Sequence, residues 1–308
     1  MPRYRFVGQL TGEENFQAAE DSGSIGKKML AWIVGLVSGQ KQPVVLQRPQ
    51  SGFVDDEGRI YVTDVSRAAV YVFDKNRARL DVWEMAAKMT RFVSPVGIGK
   101  DAIGNIVVAD AELGWIAVLD KNGEPVRKIE HVTLKRPTGL AVNIEQNLIY
   151  VADSRAHDIK VFSMSGQLTD VWGQRGEQSG QFNGPTYLAF RDDKLYVTDT
   201  LNSRIQVFSQ TGEHLQTFGK RGLYVGDLPR PKGITVDSHG NIYVVESYYD
   251  YLLIFNAKGE FLLPIGGTGD GIGQFVLPAG VWTDQQDRVY VADAFNGRIV
   301  IFQYLEGA

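Results

Sequence analysis

Residues 195–208 read LYVTDTLNSRIQVF: an alternating run ends in Asp199, a short polar loop follows, and a second apolar run closes on Phe208, nine residues after the acid. The same frame recurs along the chain. Acids stand at Asp64, Asp110, Asp153, Asp199, Glu246 and Asp293, at intervals of 46, 43, 46, 47 and 47 residues. Nine residues after each lies a large apolar residue: Phe73, Leu119, Phe162, Phe208, Phe255 and Phe302. A proline opens each unit upstream, at Pro49, Pro95, Pro137, Pro185, Pro231 and Pro278. This is one unit repeated six times.

The fifth unit shows its contents. Gly233 to Asp237 reads as a first strand, Ser238-His239-Gly240 as a turn, and Asn241 to Val245 as a second strand suited to burial. After the acid come a third strand, Leu252 to Phe255, a turn at Lys258-Gly259 and a fourth strand, Phe261 to Ile265. A lone four-stranded sheet cannot bury both faces, whereas six packed radially around an axis do. The expected fold is therefore all-β, a six-bladed propeller with four-stranded blades. The sixth unit ends after its third strand, Ile299 to Phe302, and Tyr4 to Gly8 aligns with Leu215 to Gly219, the outer strand of the fourth unit. The N-terminal strand is thus expected to complete the last blade and remove the free seam. One domain spans 1–308: a closing strand in 1–10, an insertion in 11–47, and six repeats in 48–308.

The run from Leu195 to Phe208 resembles an NHL-repeat consensus, and Asp293-Ala-Phe-Asn296-Gly-Arg298-Ile299 repeats it. Gly173 to Pro185 and Gly266 to Pro278, both ending Gly-Gln-Phe-x-x-Pro, are similar to the connection between blades in that family. The resemblance covers nearly the whole chain and implies that the loop from second to third strand and the blade linker share one rim, the top. It does not choose a function, because the fold hosts RNA binders, scaffolds, sensors, lyases and lactonases.

Composition narrows the choice. With 32 basic and 36 acidic side chains, a net charge of −4, no strong field draws in nucleic acid or anionic membrane. There is no cysteine, so disulfides, thiolate metal sites, a thiol nucleophile and a CxxCH haem attachment are excluded. Met1-Pro2-Arg3-Tyr4 runs straight into alternating residues without a secretory segment, which fits either a cytoplasmic chain or a mature exported one.

The chemistry-bearing residues do not converge. His131, His157, His214 and His239 scatter over a linker, a top loop and two bottom turns, whereas a zinc enzyme needs three ligands around an open position. A metal site of Glu246, Asn202 and Asn296 at the channel mouth is the remaining lactonase-like option, although both asparagines are ordinary consensus residues. The repeated acids read as acceptors for their own turns. The glycines of 266–273 read as turn glycines, because no helix follows them. No catalytic residue, metal or cofactor is expected.

Function is sought where units differ. Tyr224, Tyr248, Tyr249, Tyr251 and Phe295 gather aromatics on one rim, suited to a partner or to packing on linkers. Arginine precedes the opening proline in alternate units, as Arg48, Arg136 and Arg230, with Lys232 close by; together they are candidates to hold an anion at the channel mouth, unless each arginine pairs with a repeat acid. Within the insertion, residues 25–38 read as a short apolar helix carrying Trp32 and Ile33, either a lid across the propeller or a docking element for a partner or membrane surface. Its nine consecutive apolar or glycine residues, Met29 to Val37, fall short of the roughly 20 that span a bilayer.

The leading expectation is a non-catalytic protein-binding scaffold that engages a partner through the top rim and the inserted helix. Bacterial chains of similar organisation imply a periplasmic or otherwise extracytoplasmic site, and a partner in a multihaem cytochrome or membrane-associated complex, with peripheral membrane contact as a further option. A metal-dependent lyase or lactonase at the channel mouth is the alternative. An RNA-binding module comes third, because a continuous basic stripe is lacking.

Overall fold

The structure is a computed structural model that describes residues 3–16 and 43–305. Among the described residues, the chain forms six four-stranded antiparallel sheets and one short hairpin. Blade 1 consists of Pro49–Val54, Ile60–Asp64, Ala69–Asp74 and Arg79–Trp83, paired in that order. Blades 2 to 5 repeat it, opening at Pro95, Pro137, Pro185 and Pro231. Inner strands touch their neighbours in ring order, and that of blade 6, Val281–Thr283, touches that of blade 1. Its outermost strand is the N-terminal Tyr4–Leu10, which pairs antiparallel with Arg298–Tyr304, Tyr4 opposite Tyr304 and Leu10 opposite Ile299.

Sequence pattern accounts for position within each blade. Second and third strands such as Ile106–Asp110 and Trp115–Leu119 are apolar on both faces and fully buried, because a neighbouring blade covers each side. Outer strands such as His214–Phe218 alternate exposed and half-buried residues, with one edge open to solvent. All six residues nine places after the repeat acids are buried, each in a core layer between blades.

Close approach at the axis depends on glycine. A Cβ on Gly97 would lie 2.4 Å from the Thr138 carbonyl oxygen, and one on Gly280 would lie 2.2 Å from that of Gln50, so adjacent inner strands pass too near for any side chain. Blade 4 carries Tyr187 where blades 2, 3, 5 and 6 carry this glycine. Its hydroxyl reaches across the ring to blade 1, lying 3.4 Å from the Gln50 carbonyl oxygen and 3.5 Å from Gln50 Oε1, so the central channel is filled at that level. One feature of the chain was not foreseen: the linker between blades 1 and 2 forms a hairpin, Met85–Ala87 with Thr90–Arg91, whose tip exposes Met89.

Candidate functional site

The repeat acids define what the top rim can offer. All six are buried. Asp64 accepts the backbone N–H groups of Gln47, Arg48, Ser66 and Arg67 at 2.7–3.0 Å. Glu246 likewise holds the amides of Arg230, Tyr248 and Tyr249 at 2.8–3.1 Å. Burial still pushes the Glu246 carboxyl above the ordinary glutamate range, and Asp250 adds to the rise. The acids therefore clamp linker to loop and have little capacity left for chemistry.

The consensus Asn and Arg extend the clamp. Asn202 Nδ2 donates to Asp199 and to the Gly176 carbonyl, and Arg204 donates from Nε to Asp199 and from its other nitrogens to the carbonyls of Glu177, Gln178 and Gln181. Asn296 and Arg298 repeat the arrangement on Asp293 and the linker at 269–274. Both asparagines weighed as metal ligands are thus engaged in holding linkers. The histidines lie apart: His157 Nδ1 accepts the Gly184 amide, His131 meets Thr133, His214 meets Thr217, and His239 sits beside Asp287. No group of three or more His, Asp or Glu among the described residues could hold a metal ion.

Where loops depart from this scheme, an apolar surface opens. Leu223 and Tyr224 are each 82% exposed, and Tyr248 is 62% exposed. Leu201, Arg221, Leu223, Arg230, Tyr248 and Tyr249 line a hollow of about 510 Å³ between blades 4 and 5. Leu223 and Tyr249 also border a smaller hollow of about 190 Å³ that includes Tyr224 and Tyr251. The Tyr248 and Tyr249 rings meet edge to face at 4.8 Å, on a loop whose amides Glu246 fixes, so the aromatics are presented on a rigid support.

The structure therefore brings Tyr224, Tyr248 and Tyr249 together, while Tyr251 is half-buried against the core layer between blades 4 and 5. Phe295 is exposed on blade 6, away from both hollows, with the Arg48 guanidinium carbon 5.3 Å from its ring centre. Arg136 bonds Glu112, two residues after the repeat acid Asp110 of blade 2. Arg48, Arg230 and Lys232 have no carboxylate partner among the described residues. Trp32, Ile33 and the helix expected at 25–38 lie outside the described residues. Sequence reasoning passed over Leu201, Leu223 and Arg221, because an isolated leucine in a strand-rich chain reads as core. It also missed Tyr187, which aligning the inner-strand glycines would have revealed.

Residues 231–307 match the family model of a 6-bladed β-propeller, and residues 134–162 match that of the NHL repeat. No curated protein matches the chain. Among solved structures, virginiamycin B lyase from Staphylococcus aureus shares 14% identity over 84% of this chain and 96% of its own, with a TM-score of 0.60. An auxiliary nutrient binding protein from Bacteroides ovatus shares 14% over 85% and 70%, at 0.64. Hydrazine synthase from Kuenenia stuttgartiensis shares 12% over 86% and 98%, at 0.58. At such identities these similarities are of fold, and the fold carries many chemistries.

Proposed function

We propose that this chain, a six-bladed β-propeller of NHL-repeat type, is a non-catalytic platform that binds a protein partner on the top rim of blades 4 and 5. The observation that carries this is the hollow between Leu201, Leu223, Tyr248 and Tyr249, apolar in its walls and open to solvent. Large apolar side chains left exposed together on a rigid frame lose little entropy on association, and aromatic anchors are the residues that dominate interface energy. Arg221 and Arg230 at its edge complement a carboxylate. The partner is thus expected to insert an apolar side chain flanked by Asp or Glu. An extracytoplasmic site, with a partner in a cytochrome-containing or membrane-associated complex, belongs to the same proposal.

The test is capture from native membranes and periplasm with the intact chain and with a Tyr224→Ser/Tyr248→Ser variant. Both side chains are mainly in solvent, so the melting temperature is expected to stay within about 2 °C of the parent. Captured proteins should be lost from the variant, and their cross-links should map to residues 200–203, 221–227 and 247–250. Equal capture by both chains, or cross-links on another face, would remove this reading.

A further inference from the structure

Three cations near the propeller axis, Arg48, Arg230 and Lys232, have no acidic partner among the described residues. Arg48 and Arg230 precede the opening prolines of blades 1 and 5, and their backbone amides are held by Asp64 and Glu246 at 2.8 and 2.9 Å. Those carboxylates are spent on amides, and among the described residues neither guanidinium has an acid: Arg48 lies 5.3 Å from the Phe295 ring centre and Arg230 borders the hollow between blades 4 and 5. Lys232 follows Pro231 on the inner strand of blade 5 and is half-buried, yet among the described residues its ammonium has neither an ion pair nor a hydrogen bond. Other buried cations are compensated: Lys160 bonds Asp158 at 2.6 Å, and Arg204 and Arg298 each bond a repeat acid at 2.8 Å. An unpaired, partly desolvated cation is costly, and such a group persists where something outside the fold completes it.

Neighbouring groups suit an anion. Tyr187 closes the channel across to Gln50, two residues from Arg48, and its hydroxyl lies within the field of the Arg48 guanidinium. Burial, then the charges of Arg230 and Arg48, push the Lys232 ammonium down to about 8. Guanidinium forks favour groups with two or more oxygens, and several positive charges in one region favour a ligand bearing at least two negative ones.

We propose that Arg48, Arg230 and Lys232 form a site at the channel mouth for a small polyvalent oxyanion, either a phosphate group or a di- or tricarboxylate. It does not depend on the partner reading above. Calorimetric titration of the full chain with inorganic phosphate and, separately, with citrate at constant ionic strength tests it and distinguishes the two sources. At least one probe is expected to bind with one-to-one stoichiometry. Lys232→Met, and Arg48→Gln combined with Arg230→Gln, should each weaken binding roughly tenfold or more. Arg136→Gln should leave it unchanged, because that guanidinium is engaged by Glu112. By NMR, the Lys232 titration midpoint should rise on saturation, since a bound anion stabilises the ammonium. A thermal melt of each variant confirms folding. Binding of neither probe overturns the site; so does unchanged affinity in folded Lys232→Met, or an equal loss in Arg136→Gln, which would indicate diffuse charge rather than a built pocket.

Discussion

Gly139→Val is expected to destabilise the propeller by roughly 3–5 kcal/mol and to lower its melting temperature by about 5–8 °C. A Cβ at this position would meet the Thr186 carbonyl oxygen at 2.5 Å, the Tyr187 Cα at 2.6 Å and the Leu188 nitrogen at 2.9 Å. All three are backbone or Cα atoms of the next inner strand, so no flexible side chain can yield. Relief requires blades 3 and 4 to separate, which opens the layer where Ala141, Tyr150 and Leu188 pack. Gly58→Ala is the control. That glycine has a positive φ of 79° but nothing within 4 Å of its would-be Cβ, so only the backbone penalty of about 1 kcal/mol applies. Scanning calorimetry of the two variants decides the matter. If Gly139→Val melts with the parent, the inner strands are not in the contact described.

Asp199→Ala is expected to cost about 3–5 kcal/mol, far more than an exposed ion pair contributes. The carboxylate is fully buried and accepts from the Asn183 amide at 2.7 Å, Asn202 and Arg204 at 2.8 Å and Gln206 at 3.3 Å. Its removal leaves a mostly buried guanidinium without its charge partner and Gln206 with an unpaired donor. Asp199→Asn should recover only part of the loss, since its side chain keeps one acceptor oxygen in place of two and brings no charge to Arg204. Urea unfolding measures both variants. Hydrogen exchange adds a local readout: the amides of Gly176 and Phe182, which close the linker by bonds to Phe182 and Gln174, should lose protection first. A cost below about 1 kcal/mol for Asp199→Ala would show that the repeat acid is not the clamp it is described as.

Much of this was legible in the chain because it repeats. The spacing of Asp199 and Phe208 recurs six times, and alternation against continuous apolar runs separates the outer strands from the middle ones. Strand limits agreed to within a residue or two, as in the expected Leu252 to Phe255 against the observed Tyr251–Phe255. The aromatics of the blade 5 loop were visible as departures from the repeat. Their fates were not, since Tyr248 and Tyr251 are near neighbours of the same type, yet one is exposed and the other packs against the core.

By itself the sequence determined the number of blades, their strand order, the acids and linkers that join them, and the absence of thiol chemistry, because each of these is set by local periodicity or by residue type. Only the tertiary structure decided which side chains meet. Tyr187 and Gln50 lie 137 residues apart and come together because the ring sets blades 1 and 4 opposite each other. Leu201 and Tyr248 share a hollow because successive blades align their top loops. Arg136 pairs with Glu112 of the neighbouring blade, while among the described residues Arg48 and Arg230 meet no carboxylate. Such contacts depend on rotation about the propeller axis, which no spacing along the chain records.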